Sequence, residues 1–122
     1  MKSKIVVVED NAWQAAQYTR VLESNNYDVS IARTAQAAID VIDDVQPAAI
    51  ILDLLLPGAT AMTLLNELQS HSDLATIPVV IATSSPESLS GATVSPYGVI
   101  AVLDKTTMHP DEILTAVRRA IV

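Results

Sequence analysis

The chain has no cysteine and no phenylalanine. The first absence excludes disulfides and thiol chemistry, and it suits a cytosolic protein. The second leaves Trp13, Tyr18, Tyr27 and Tyr97 as the whole aromatic complement. A core must then be built from Ile, Val, Leu and Ala, which a parallel sheet covered by helices accepts. A basic excess is missing too. At a net charge of -7 the chain lacks the cationic footprint that direct nucleic-acid binding requires. No apolar run approaches the roughly 20 residues that a membrane helix needs, and the N-terminus enters a predicted strand directly, with no room for a signal peptide. A cytoplasmic location is expected, with no membrane contact. There is no low-complexity segment, linker or repeat. The 122 residues suit one domain, 1–122, large enough to bury a sizeable core.

What is present is a series of short apolar runs, each ending in a reactive or ionisable group. Ala48-Ala49-Ile50-Ile51-Leu52 shows no alternation, as expected of a strand buried on both faces, and it ends in Asp53. Pro57 and Gly58 stop any continuation. Asp53 is therefore expected at the carboxyl edge of a central strand, where open α/β sheets place their ligand crevice. Lys4-Ile5-Val6-Val7-Val8 ends in Glu9-Asp10 in the same way. If the two strands are neighbours, three carboxylates converge, and a divalent cation is the usual relief. Oxygen-only ligands favour magnesium, or manganese, over zinc. Ile77-Pro78-Val79-Val80-Ile81-Ala82 leads to Thr83, a hydroxyl donor. Val99-Ile100-Ala101-Val102-Leu103 leads to Asp104-Lys105, whose ammonium suits a phosphoryl group.

Taken singly, each signal has an ordinary reading. An Asp after a strand commonly serves a turn, Glu9-Asp10-Asn11 could cap a helix, and Lys105 could be a solvated surface residue. Their order decides otherwise. An acidic pair, an Asp, a Thr and a Lys follow one another, each at the carboxyl end of a different predicted strand.

Between the strands lie helical signals. Asn11 can cap a helix running to about Ser24, with Ala12, Ala15, Ala16, Thr19, Val21 and Leu22 available for packing. Asn25-Asn26 is a turn, and Tyr27–Ala32 alternates as an edge strand should. Thr34 caps a helix carrying Ala35, Ala38, Ile39 and Ile42, closed by Pro47. Thr60 can cap a third helix presenting Met62, Leu64, Leu65 and Leu68. The segment from Ser85 to Pro96 holds poor helix formers, so a weak or irregular fourth helix is expected there. A last helix begins near His109, with Pro110 at its first position, Asp111-Glu112 in its first turn and Arg118-Arg119 near its end. Trp13 is expected to be partly exposed beside the crevice rather than in the core. His71 and His109 have no metal-ligand neighbour at useful spacing and read as surface or capping residues. Alternating strands and helices give an α/β fold, a doubly wound five-stranded parallel sheet with right-handed crossovers.

The chain resembles, over essentially its whole length, a receiver domain of the two-component response-regulator family, in the single-domain, chemotaxis-regulator-like form. The residues that carry the resemblance are Val6-Val7-Val8-Glu9-Asp10-Asn11, Ala32-Arg33-Thr34-Ala35-Gln36-Ala37-Ala38-Ile39, Asp53-Leu54-Leu55-Leu56-Pro57-Gly58, Thr83 and Lys105. The resemblance implies a flavodoxin-like (βα)5 sheet with the strand order 2-1-3-4-5 known for receiver proteins. It implies that Asp53 accepts a phosphoryl group from a histidine kinase or phosphotransfer protein, aided by Thr83 and Lys105. Asp10, with Glu9 through water, Asp53 and the backbone carbonyl of Leu55 would hold magnesium or manganese. A downstream protein would be met through the fourth helix, fifth strand and fifth helix. Such a domain promotes its own phosphorylation without being a turnover enzyme.

Three positions depart from the family pattern. Val102 stands where a switch aromatic is usual, Thr106 where a proline follows the lysine, and Ala61 where a glycine is expected. The first two concern communication with the outer surface, so a receiver-like adaptor uncoupled from phosphate is the alternative reading. An aspartate-nucleophile phosphatase is disfavoured, because the position two residues after Asp53 is Leu55, which cannot protonate a leaving group.

Overall fold

The computed structural model describes residues 2–53, 55–56, 59–84, 98–106 and 109–121. Five strands form one parallel sheet: β1 (Ser3–Val8), β2 (Tyr27–Ala32), β3 (Ala49–Asp53), β6 (Val79–Thr83) and β7 (Val99–Asp104). They lie in the order β2-β1-β3-β6-β7, which in sequence terms is 2-1-3-4-5. Two strands of two residues each, β4 (Leu55–Leu56) and β5 (Ala59–Thr60), pair antiparallel just beyond β3. The helices are α1 (Ala12–Ser24), α2 (Ala35–Val45), α3 (Ala61–Gln69) and α4 (Pro110–Ile121). The weak helix expected at 85–96 lies outside the described residues, as do Leu54, Pro57 and Gly58.

The alternation of side chains along each strand sorts the core into two layers. Val6, Val8, Ile50, Leu52, Val79 and Ile81 pack on one face of the sheet with Ile42 of α2 and Leu64, Leu65 and Leu68 of α3. Ile5, Val7, Ile51, Val80 and Ala82 pack on the other with Tyr18 and Leu22 of α1 and Ile113 and Val117 of α4. Every residue of β3 and β6 is buried, as unbroken apolar runs require.

Local chemistry sets the helix ends. Asn11 Oδ1 accepts from the Gln14 N–H (2.9 Å) and Thr34 Oγ1 from the Ala37 N–H (3.0 Å), each satisfying a donor of the first turn. Gln46 ends α2 in the left-handed region, at φ 52°, just before Pro47. At the start of α4 the His109 N–H donates to Glu112 Oε2, while Glu112 N–H donates to the His109 carbonyl.

One helix packs differently from its expected stripe. Ala12 and Ala16 are exposed, whereas Tyr18 is 2% exposed and belongs to the core. The buried stripe of α1 runs Ala15, Tyr18, Leu22. Ala16 stands about 100° round the helix from Ala15, and Ala12 opens the helix beside exposed Asp10 and Trp13. The larger ring captured the inward position because it buries more apolar surface.

Candidate functional site

β1 and β3 lie side by side in the middle of the sheet, so their carboxyl ends bring together the groups that follow them. Glu9 extends the β1–β2 ladder by one residue, its N–H donating to the Ala32 carbonyl at 3.0 Å. That fixes its backbone and turns its side chain inward, where it is 2% exposed. Asp10, the next residue, is exposed. Asp53 is the last residue of β3 and is 8% exposed. One carboxylate oxygen from each of the three lies within 4.8 Å of the others, so the expected convergence of Glu9, Asp10 and Asp53 is present.

Lys105 joins them from the far side. It follows β7 at the sheet edge, and its N–H donates to the Thr83 carbonyl at 2.8 Å. From there its ammonium crosses the end of β6 to lie 2.5 Å from Glu9 Oε1 and 3.2 Å from Asp53 Oδ1. Thr83, buried at the end of β6, stands between the two, with Asp53 opposite Ala82 and Thr83 opposite Asp104 in register. Glu9 Oε2 also accepts from the Asn11 N–H at 3.3 Å. Leu55 enters β4, where its backbone pairs with Thr60, two residues past Asp53.

The electrostatics follow from this packing. Burial pushes Glu9 up to about 7; the Lys105 hydrogen bond pulls against that, while the neighbouring Asp53 carboxylate adds to it. Three carboxylates face one ammonium, an excess of negative charge at a crevice edge. A hard divalent cation with oxygen ligands answers it, and the all-carboxylate donor set fits magnesium better than a soft metal.

Three features escaped the residue pattern. Tyr18 lies in the core below this edge, its hydroxyl without a hydrogen-bond partner among the described residues. Burial, and then the charge on Glu9, raise its phenol above the usual range. The turn after β7 is clamped by Asp104, whose Oδ1 accepts from the Thr106 N–H (2.9 Å) and Thr106 Oγ1 (2.6 Å). An Asp two residues before a Thr is the only sequence signal for that clamp. Lastly, Glu9 and Lys105 form a direct pair that no local spacing announces. Trp13 is 67% exposed, outside the core as expected. His71 and His109 are both exposed, away from the cluster.

The chain matches the response regulator receiver domain over residues 5–118. It is 27% identical over 89 residues to the DNA-binding response regulator MtrA of Mycobacterium tuberculosis, covering 73% of this chain and 38% of that protein. To the phosphate regulon transcriptional regulatory protein PhoB of Escherichia coli it is 32% identical over 87 residues, covering 71% of this chain and 38% of the relative. The matched region thus spans little more than a third of either regulator. The fold superposes on the chemotaxis response regulator CheY4 of Vibrio cholerae with a TM-score of 0.87 at 20% identity, covering 98% of this chain and 99% of that one. Among the described residues no helix is long and apolar enough to cross a membrane.

Proposed function

The chain belongs to the response regulator receiver domain family, and on that premise we propose that it is a phosphoacceptor switch, a single receiver domain over residues 1–122 with Asp53 as its acceptor. A histidine kinase or phosphotransfer protein would supply the phosphoryl group from a phosphohistidine. An oxygen of Asp53 attacks phosphorus, the N–P bond breaks, and the imidazole leaves.

The observation that carries this reading is the setting of Asp53. It is a buried carboxylate at the end of β3, flanked by Glu9 and Asp10 and touched by the Lys105 ammonium at 3.2 Å. Phosphoryl transfer needs positioning and charge neutralisation more than it needs covalent help from the protein. Asp10 and Asp53, with Glu9 through water and the Leu55 carbonyl, would hold magnesium, which neutralises charge on the transferred group when bound. Lys105 can exchange its contact with Asp53 for one to a phosphoryl oxygen without leaving Glu9. Thr83 supplies a hydroxyl donor one strand away, and the backbone bond from Lys105 to Thr83 links the two responses. The altered loops would then change partner binding at the surface of β7 and α4.

Beryllofluoride, which mimics a phosphoryl group on a carboxylate, tests this reading. With magnesium it should shift the amide resonances of residues 53, 83 and 105, and the Asp53→Asn variant should show none of these shifts. Shifts of equal size in Asp53→Asn would overturn the assignment.

A further inference from the structure

The helices α2 and α3 lie side by side on one face of the sheet, sharing a core, and leave a groove of about 320 Å³ between them. Its apolar floor is Ile39 from α2 and Leu64 from α3, and its rim includes Asp40 on one helix and Glu67 on the other. Asp43 and Asp44 continue the exposed face of α2. Among the described residues Asp40, Asp43 and Asp44 make no salt bridge, and the one ionic neighbour of Glu67 is His71, at 3.7 Å. The sequence explains the imbalance: it has neither Lys nor Arg between Arg33 and Lys105. Arg33 itself is exposed ahead of the α2 cap and makes no salt bridge among the described residues.

Apart from the Glu67–His71 pair, folding gains little from this charge pattern. Asp40 and Glu67 lie beyond the first turns of their helices, where a helix N-terminus would favour an acid. Asp40 and Asp44 are an i, i+4 pair of like charge, which opposes the helix that carries them. Among the described residues the cluster of carboxylates close enough to share a metal is the one at Glu9, Asp10 and Asp53, so a bound cation does not account for the rim either. An apolar floor inside a polar rim is the anatomy of a docking groove, at the small end of the roughly 300–1,000 Å³ range of side-chain and ligand pockets.

We propose that the α2–α3 groove docks a cationic amphipathic helix of a partner protein, one that seats an aliphatic side chain on Ile39 and Leu64 and places Lys or Arg over Asp40 and Glu67. The charge excludes a nucleic acid, which the same carboxylates repel. It also disfavours a second copy of this chain, whose basic helix residues are Arg20, three residues before Glu23 in α1, and Arg118 and Arg119, at the end of a helix beginning with Asp111 and Glu112. A groove of this size holds one or two anchor side chains, so the complex should be transient and weakened by salt. The surface lies apart from the acidic cluster, and its binding does not depend on phosphorylation of Asp53.

The test is a titration of the full chain with a synthetic helical peptide of Leu and Lys, Leu recurring at helical spacing, followed by amide NMR. A peptide with Glu in place of Lys is the comparison. Shifts should concentrate in residues 35–45 and 61–69, with little effect from the Glu peptide. The double variant Asp40→Lys with Glu67→Lys should weaken binding of the Lys peptide at least tenfold and bind the Glu peptide instead. Ile39→Asp should also weaken the Lys peptide, and the exposed charge reversal keeps the test open if that variant fails to fold. Glu23→Lys with Asp28→Lys changes net charge equally on another exposed surface and should leave binding within twofold. Shifts spread over the molecule, an equal effect of the control pair, or no binding would each overturn the proposal.

Discussion

The ammonium of Lys105 lies 2.5 Å from Glu9 Oε1, joining residues 96 positions apart in the chain. Both ends are largely shielded from water, with Glu9 almost fully buried, and the same ammonium reaches Asp53 at 3.2 Å. Lys105 is thus a counter-ion that makes two inward carboxylates tolerable. On the proposed function, a cation would compete with it for these carboxylates, and a phosphoryl group would draw it from Asp53.

Replacing Lys105 with Met should therefore destabilise the metal-free domain by about 3 kcal/mol at pH 8, because it leaves a buried carboxylate pair without compensation. The loss should be smaller at pH 6, where Glu9 can take up a proton instead. Urea denaturation at the two pH values checks this. A Lys105→Met protein as stable as the parent at pH 8 would show that the pair contributes nothing.

Glu9 itself sets a pH dependence of unusual sign for a carboxyl group. Its folded pKa is raised from 4.5 to about 7, chiefly by burial, so the folded state binds the proton more tightly than the unfolded chain does. The stability this contributes is fully present below 4.5 and is lost as pH rises through about 7. Metal-free wild type should lose stability between pH 5 and pH 8 relative to Glu9→Gln, which has no proton to release. Parallel stability curves for the two proteins would refute the shift.

The Asp104 clamp makes a separate prediction about Lys105. Bonds from Thr106 hold the Asp104 carboxyl below its ordinary value of 3.8, so the clamp is intact above that pH and fails only in stronger acid. Within pH 5 to 8 it should act as a constant restraint on the turn that carries the lysine. Asp104→Ala should slow labelling from a small phosphodonor several-fold at saturating magnesium, whereas Asp104→Asn, which keeps the accepting oxygen, should stay near wild type. If Asn and Ala behave alike, charge rather than the clamp is responsible.

Most of the candidate site was legible because each of its residues follows or ends an apolar run. Glu9, Asp53, Thr83 and Lys105 follow or close strands whose hydrophobic character marks them as central, and parallel strands align their carboxyl ends at one edge. The caps at Asn11 and Thr34 were legible for a local reason, since a side-chain oxygen next to a helix start has one obvious use. Tyr18 was not legible. In an alanine-rich helix several faces look packable, and which one turns inward depends on what α4 and the sheet leave open. The Glu9–Lys105 pair was hidden for the same reason, because it exists only once β1, β3, β6 and β7 are side by side. The hairpin of β4 and β5, two residues per strand, is too short for any periodic signal.

The central claim is that Asp53 accepts a phosphoryl group in a magnesium-dependent reaction. Site-resolved mass spectrometry after treatment with acetyl phosphate tests it most directly. One phosphoryl group should appear on the peptide containing Asp53, and it should be lost with Asp53→Asn or when magnesium is chelated. Labelling that persists in Asp53→Asn, or that proceeds as well with magnesium removed, would contradict the account.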